Sequence, residues 1–324
     1  MSPQSSEPPK AQEKYGAETT VKRNPHPDFI KVQASRPDWD ESRQWHLTKT
    51  RNPSWTYGSG ASEKSSINKS HVSIDPYAKG RPPVYNYKLL ISGIVPRPIG
   101  FLSTTSKDGS STNLAPFSYT QVFNHDPPIF AVGFTGGLED AKDTLRNLVD
   151  TDEVVINIIS DHYLEAANAC AIDLPYGQSE WVASGLTPVE SKVVTPCRVK
   201  EAVFSIEGKL LNTQEFVSRT YPGKKTGVLA VIEGVHFWVR EDAINEEQNL
   251  IDPAILRPIS RLGGITYARV TDGFEILRPV LKRELEEGRI GDELLKPKIY
   301  IESKGAIFAA ILRPLREGRE WWTT

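Results

Sequence analysis

Cysteine is scarce in this chain: two residues, Cys170 and Cys197, among 324. Two thiols cannot build a disulfide framework, and neither sits at a metal-ligand spacing. Both read as small buried hydrophobes, and a reducing cytoplasm is the expected compartment. Long apolar runs are missing too, since none approaches the length that spans a membrane. The first residues, MSPQSSEPPKAQEKYGAETT, lack the apolar core of a secretory signal, and their glutamates argue against a mitochondrial presequence. Nor is there an excess of charge of one sign. A formal net charge of -2, from 39 Lys and Arg against 41 Asp and Glu, gives no basic stripe for nucleic acid and no pull toward an anionic membrane. The 6 histidines are scattered, with His125 and His162 nearest the loops of interest. There is no G-x-S-x-G elbow, no H-E-x-x-H, no G-x-x-x-x-G-K-[ST] and no G-x-G-x-x-G opening a helix after a strand. No catalytic side chain and no metal ligand set is therefore assigned.

What is present begins with an unusual amino-terminal quarter. Residues 1–84 are rich in Pro, Ser, Lys and Glu and show no sustained period. Yet Trp39, Trp45, Trp55 and Tyr57 stand among the charges, which suits a flexible tail (1–35) followed by an extended arm (36–84). The arm docks on the domain surface or on a partner subunit, two options the residues leave open. Compact structure is expected over 85–279, beginning near Val84 with Tyr87–Ile94 leading in. Ile99–Thr105 and Thr112–Tyr119 read as a hairpin turned at Ser106-Lys107-Asp108-Gly109, with Pro116 marking an edge or a bulge. Further strands are expected at Ile129–Phe134, Val154–Ile159, Ala202–Leu211, Glu215–Thr220 and Gly227–Arg240, the last bulged at Gly234. Leu262–Val270 and Phe274–Leu277 are expected to form a final hairpin across Thr271-Asp272-Gly273. Helical spacing is confined to Ala141–Val149, with Asp143 as N-cap, and to His162–Ala171; Pro175–Gly185 reads as a loop holding Trp181. Short strands with few helices between them argue against a doubly wound parallel sheet and for a Greek-key or partly open β-barrel. Residues 280–324, with an apolar stretch at Ile299–Leu312 and Trp321-Trp322 at the end, form a carboxy-terminal extension that packs on the barrel or across a dimer.

Three places carry possible chemistry. Small polar side chains crowd the hairpin (Ser103, Thr104, Thr105, Asn113, Ser118), next to a break in the ladder where a ligand can approach the backbone; the other reading is a polar face in water. Gly136-Gly137 and then Lys142-Asp143-Thr144 place a lysine and a hydroxyl at a helix start, where free N–H groups and the macrodipole suit a phosphate; the other reading is ordinary capping. Arg261-Leu262-Gly263-Gly264 sets an arginine beside paired glycines, for an anion or for a turn. Arg97, between Pro96 and Pro98, is a rigidly presented cation or one half of a surface ion pair. Phosphate-binding features without a nucleophile or a metal suggest a cofactor that brings its own reactivity.

Taken together, RPIGFLSTTSKDGSSTNLAPFSY, the DPP of Asp126–Pro128, the KDT at Lys142 and RLGGITY from Arg261 resemble the flavin reductase-like, FMN-binding split-barrel family, in its flavoredoxin-like branch, over roughly Tyr87–Pro279. The resemblance implies a mainly β Greek-key split barrel, a homodimer, and one FMN per subunit, reduced by NADH or NADPH or held as a redox group. It places Ser103, Thr104 and Thr105 along the flavin and its ribityl chain. Asn113, Leu114, Ala115, Pro116, Phe117 and Ser118 fall at the ring and the phosphate, and Lys142, Asp143 and Thr144 at the phosphate end. Arg97 becomes a candidate cation at the pyrimidine edge, and Arg261 and Gly263 join the cofactor-binding set. Ala167-Asn168 stands where many relatives have Met-Asn, and Ser205-Ile206-Glu207 where many have a Cys-bearing strand; both departures bear on substrate or nicotinamide specificity. The implied activity is an NAD(P)H-dependent flavin reductase. The alternatives are a flavoprotein oxygenase or oxidase with its own organic substrate, and a non-catalytic FMN-binding protein whose arm blocks the nicotinamide.

Overall fold

The structure, a computed structural model, describes residues 23–291 together with Leu295. The first part of the expected tail, the Ile299–Leu312 stretch and the terminal tryptophans lie outside the described residues. The chain divides into two compact units, one built from the residues up to Thr48 and from Ser70–Phe274, the other from Lys49–Lys69 and the residues from Glu275 on.

In the first unit, α1 (Phe29–Ala34) and β1 (His46–Leu47) precede α2 (Pro83–Gly93) and then the strands β2 (Gly100–Thr105), β3 (Thr112–Phe117), β4 (Thr120–His125) and β5 (Pro128–Thr135). Next come α3 (Asp143–Thr151), β6 (Glu153–Ile158), α4 (Leu164–Ala169), α5 (Glu180–Ser184), β7 (Pro188–Val189) and β8 (Arg198–Val199). The long strands β9 (Phe204–Val217) and β10 (Lys225–Val239) follow, then α6 (Pro253–Leu256), β11 (Ile259–Arg261), β12 (Tyr267–Arg269) and β13 (Asp272–Gly273). The second unit contributes α7 (Leu281–Glu286), where Glu284 takes a two-pronged ion pair from Arg289 and the phenol of Tyr57 lies close by.

Seven strands form one antiparallel sheet in the order β3-β2-β6-β9-β10-β5-β4. Its two outer strands are consecutive in the chain. From Phe117 to Thr120 is three residue steps, a reach of about 11 Å, whereas opposite edges of a flat seven-stranded sheet lie roughly 29 Å apart. The sheet must therefore curl until β3 and β4 meet as unpaired neighbours. That closure is the split barrel, and the chain is mainly β with a few short helices, as expected.

Burial on both faces follows from the curl. Every residue of β2 is buried; Leu102 points into a core with Val132, Leu145, Ile156, Ile206 and Ile232, while Phe101 joins a second core with Leu114, Tyr163, Trp181 and Val199. Asn157 ties the layers together: its Nδ2 donates to Phe101 O at 2.9 Å, and its Oδ1 accepts from Val199 N at 3.0 Å and Ser205 Oγ at 2.7 Å. Gly109 turns the β2–β3 hairpin at φ 71°, and the register of β9 and β10 shifts after Gly234, both where the sequence puts them.

Other elements differ from expectation. Tyr87–Ile94 is mostly the body of α2, which Pro83 starts in the first turn, where its missing N–H costs nothing. Strand β4 lies in a stretch given no element, because its exposed apolar residues Val122 and Phe123 break the alternation. Pro116 sits in an edge strand without a register shift, so the break is an edge and not a bulge. Lys142, not Asp143, is the N-cap of α3, and Asp143 is its first helical residue. Within Pro175–Gly185 the short helix α5 buries Trp181, and Gly185 at φ 68° ends it. The final hairpin turns one segment early, at Gly263-Gly264, pairing β11 with β12; Asp272–Gly273 pairs instead, in parallel, with His46–Leu47. The arm up to Thr48 is thereby seated on this unit, with the Trp39 ring beneath the Arg269 guanidinium at 3.9 Å.

Candidate functional site

A cavity of about 630 Å³ opens beside the edge strand β3. Asn113, Ala115, Pro116 and Phe117 form one wall, residues 139–144 with Arg146 form a second, and the segment from Cys170 to Leu174 with Tyr176 and Glu180 closes the third. Edge strands normally present a row of free N–H groups. Here Leu114 N donates to Glu180 Oε2 at 3.1 Å, and the next outward position along the strand is Pro116, which has no N–H. The wall that a ligand meets is thus small side chains, Ala115 and Pro116, and not the open backbone donors that the sequence suggests.

At the far end is the start of α3. Its N-cap residue is Lys142, whose side chain makes no capping hydrogen bond and carries no acceptor, so the first turn of a nine-residue helix is left without a side-chain cap. Thr144 is buried there and donates its hydroxyl to Asn113 Oδ1, while Asn113 Nδ2 donates to Glu180 Oε2 at 2.9 Å. One line of hydrogen bonds therefore runs from α3 through β3 to α5. Burial raises the Glu180 carboxyl above the usual carboxylate range, and the neighbouring Asp143 adds to this, against the bonds from Leu114 and Asn113. Burial likewise pushes the Cys170 thiol up to about 11. The Arg146 guanidinium lies over the Tyr176 ring at 4.6 Å, on the outer rim.

The expected site residues separate into three groups. Asn113, Ala115, Pro116, Phe117, Lys142, Asp143 and Thr144 come together along this cavity. Ser103, Thr104 and Thr105 are buried within β2 behind it: Ser103 Oγ donates to Cys197 O, and Thr104 Oγ1 accepts from Asn147 Nδ2 at 3.2 Å. Leu114 faces the core, and Ser118 is half-buried at the turn into β4. Arg97, Arg261 and Gly263 lie elsewhere. Arg97 is neither an exposed cation nor half of a surface ion pair; it is buried, and its guanidinium donates to the carbonyls of Ile91 at 2.5 Å, Ile94 at 2.9 Å and Leu262 at 2.9 Å, clasping the end of α2 to the segment after β11. Arg261 stacks on Tyr267 at 4.1 Å, and Gly263 lines a separate hollow of about 370 Å³ with Tyr87, Lys88, Ile91 and Ser92.

Sequence reasoning missed Glu180, Cys170, Asp173 and Tyr176. A signal existed for the first: an acid opening a short apolar stretch that ends in glycine, which is a helix of one and a half turns. Among the described residues no group of three His, Cys, Asp or Glu could hold a metal ion, and no helix is long and apolar enough to cross a membrane.

Comparison with known proteins fits this geometry. Residues 92–256, just over half of the chain, match the model of the flavin reductase like domain. This chain belongs to that family. An uncharacterized protein of Halalkalibacterium halodurans is 34% identical over 203 residues, covering 62% of this chain and 94% of that protein. Among solved structures, nitrilotriacetate monooxygenase component B from Bacillus cereus superposes with a TM-score of 0.58 at 33% identity, over 64% of this chain and 100% of the other. The 2-nitrobenzoate 2-nitroreductase of Pseudomonas fluorescens superposes at 0.56 and 27% identity, over 65% and 96%. The matched stretch of the flavin reductase like domain contains both the β3 wall and the start of α3, but not β11 or the glycines after it.

Proposed function

We propose that this chain is an FMN-binding oxidoreductase, reduced by NADH or NADPH, working as a homodimer. The observation that carries the reading is the cavity itself, which runs from the small side chains of β3 to a helix start with a lysine and no side-chain cap. The residues present fit FMN. Ala115 and Pro116 leave room for a flat ring against the strand, and Lys142 with the first-turn N–H groups of α3 suits a phosphate. Thr144 and Asn113, fixed by each other and by Glu180, hold the floor between the two ends. When bound, FMN supplies the redox chemistry, accepting hydride from a nicotinamide and passing the electrons on. The chain itself has to hold the ring, seat the phosphate and keep water from the reacting face. None of these tasks needs a protein nucleophile.

The nitroreductase neighbour favours a second reading, in which the reduced flavin serves an organic substrate in the same cavity and not a free acceptor. The two separate by product. Oxidation of NADPH with released reduced flavin as the only product supports the first, and turnover of a nitroaromatic or another organic acceptor supports the second. The binding step is tested with Lys142→Ala. Its affinity for FMN, followed by quenching of flavin fluorescence, is expected to fall about tenfold, the loss of one charge-assisted contact of about 1.4 kcal/mol. Affinity for riboflavin, which has no phosphate, should stay within about twofold. Equal losses for both ligands would remove the phosphate from this end of the cavity.

A further inference from the structure

Two buried glutamates in this barrel are held in different ways. Glu207 accepts with both oxygens: Oε1 from Lys192 N at 2.8 Å and Trp238 Nε1 at 2.6 Å, Oε2 from Val193 N at 2.6 Å and Val194 N at 3.1 Å. Four donors spread over two oxygens require an ionised carboxylate. Glu180, only 4% exposed, takes its two bonds from other residues on a single oxygen, Asn113 Nδ2 and Leu114 N both ending on Oε2, with its own backbone N–H as the remaining donor. That pattern also suits a carboxylic acid, whose carbonyl oxygen accepts while the other oxygen carries a proton. Protonation would leave the bonds to Asn113 and Leu114 in place, and with them the orientation of Asn113 toward Thr144.

The charges around the cavity make the difference matter. Its lining holds five carboxylates, Glu139, Asp140, Asp143, Asp173 and Glu180, against two cations, Lys142 and Arg146, with the Cys170 thiol and the Tyr176 phenol between them. A phosphate arriving at the start of α3 adds up to two negative charges to a wall that already has an excess. Glu139, Asp140 and Asp173 are exposed, where water and salt screen their repulsion, and Asp143 is half-buried. Glu180 is the one carboxylate of the five that is buried, so repulsion from the incoming anion is least screened there.

We propose that Glu180 takes up a proton from solvent when a phosphate-bearing flavin enters the cavity, so that binding is proton-linked and the bound state holds Glu180 as a carboxylic acid. The proposal rests on the flavin reading above. The proton goes to a carboxylate oxygen and no electron moves. Raised by burial first and by Asp143 second, the Glu180 carboxyl starts on the side that makes this step easy. Glutamine is close to isosteric with the neutral acid, so Glu180→Gln should copy the protonated state.

The test is calorimetric titration of FMN into the wild-type protein and Glu180→Gln, in two buffers of different ionisation enthalpy across the neutral range. The wild type is expected to take up more protons per FMN than Glu180→Gln, the excess approaching one. Its affinity should also fall more steeply with rising pH, the two slopes differing by up to about tenfold per pH unit. Riboflavin should show no such excess. Equal proton uptake and equal pH slopes in the two proteins would overturn the proposal. Failure of the wild type to bind FMN at any pH would overturn the flavin reading and this proposal with it. If Glu180→Gln does not fold, the carboxyl carbon shift of Glu180 in labelled wild-type protein, with and without FMN, decides the matter. Movement to the acid form supports the proposal, and an unmoved carboxylate shift sinks it.

Discussion

Glu207 shows how much one side chain can hold in this fold. It is fully buried in β9, and three successive backbone N–H groups of the 192–194 segment, with the Trp238 indole, end on its carboxylate. Burial works against the charge, but these four donors outweigh it and keep the carboxyl below the usual carboxylate range. Glu207→Ala leaves the donors unpaired, and urea unfolding is expected to show a loss of about 3 kcal/mol. The pH dependence follows from the same shift. A carboxyl depressed in the folded state contributes stability that is fully present above its unfolded value and is lost as the pH falls through the folded one. The stability of Glu207→Gln should therefore decline less steeply on the acid side than that of the wild type; parallel acid limbs would mean that the carboxylate contributes nothing there. At this scale the sequence was only partly legible. Lys142 and Thr144 could be read from their place at a helix start, and Asn113 and Pro116 from an interrupted strand. Glu207 could not, and for Glu180 only its place at the start of a short helix could, because the burial of a carboxylate is defined by donors that come from distant segments. The same holds for Arg97, whose three partners are carbonyls that no side-chain pattern reveals.

Elements pack closely enough here for glycines to act as spacers. In the centre of the sheet, a Cβ on Gly208 would lie 2.6 Å from Ile232 Cγ2 across the β9–β10 ladder. Gly208→Ala is expected to cost about 2 kcal/mol by overpacking. In a double-mutant cycle with Ile232→Ala, which removes that Cγ2, the combined loss should be smaller than the sum of the two single losses; fully additive losses would place the strain elsewhere. In β13, a Cβ on Gly273 would meet the Trp45 ring at 2.2 Å. Gly273→Ala should lift the indole, so that the arm around Trp45 is cleaved faster in limited proteolysis while the barrel keeps its melting temperature. Unchanged cleavage would mean that Trp45 does not hold the arm. Strand β6, buried on both faces, is readable from its apolar run, and β2 from apolar and β-branched residues ahead of turn chemistry. Strand β4 is not, because its apolar residues point outward. The last hairpin turns before the segment with the stronger turn chemistry, because Asp272-Gly273 pairs with a strand 226 residues earlier in the register His46 to Asp272.

For the whole molecule, barrel closure decides where chemistry can occur. Because β3 and β4 are consecutive yet stand at opposite edges of the sheet, the seam between them is left unpaired, and the cavity opens along the β3 side of that seam. The fold class was legible from short strands with few helices, since that composition admits few closed solutions. The cavity's excess of carboxylates was not, because Asp173 and Glu180 reach it from segments that carry no periodic signal. The apolar side chains Val122 and Phe123 on β4, with Leu89 and Leu90 on α2, are exposed, and they are where the proposed dimer would find a surface.

The proposed binding of FMN in this cavity, and its reduction there by a nicotinamide, are tested most directly by the absorption spectrum of the purified protein with one equivalent of FMN, before and after anaerobic addition of NADPH and then of NADH. The expected result is a perturbed flavin spectrum that bleaches with one of the two donors, and a weaker perturbation in Lys142→Ala. A spectrum identical to that of free FMN, with no change on adding protein at any concentration, would contradict it.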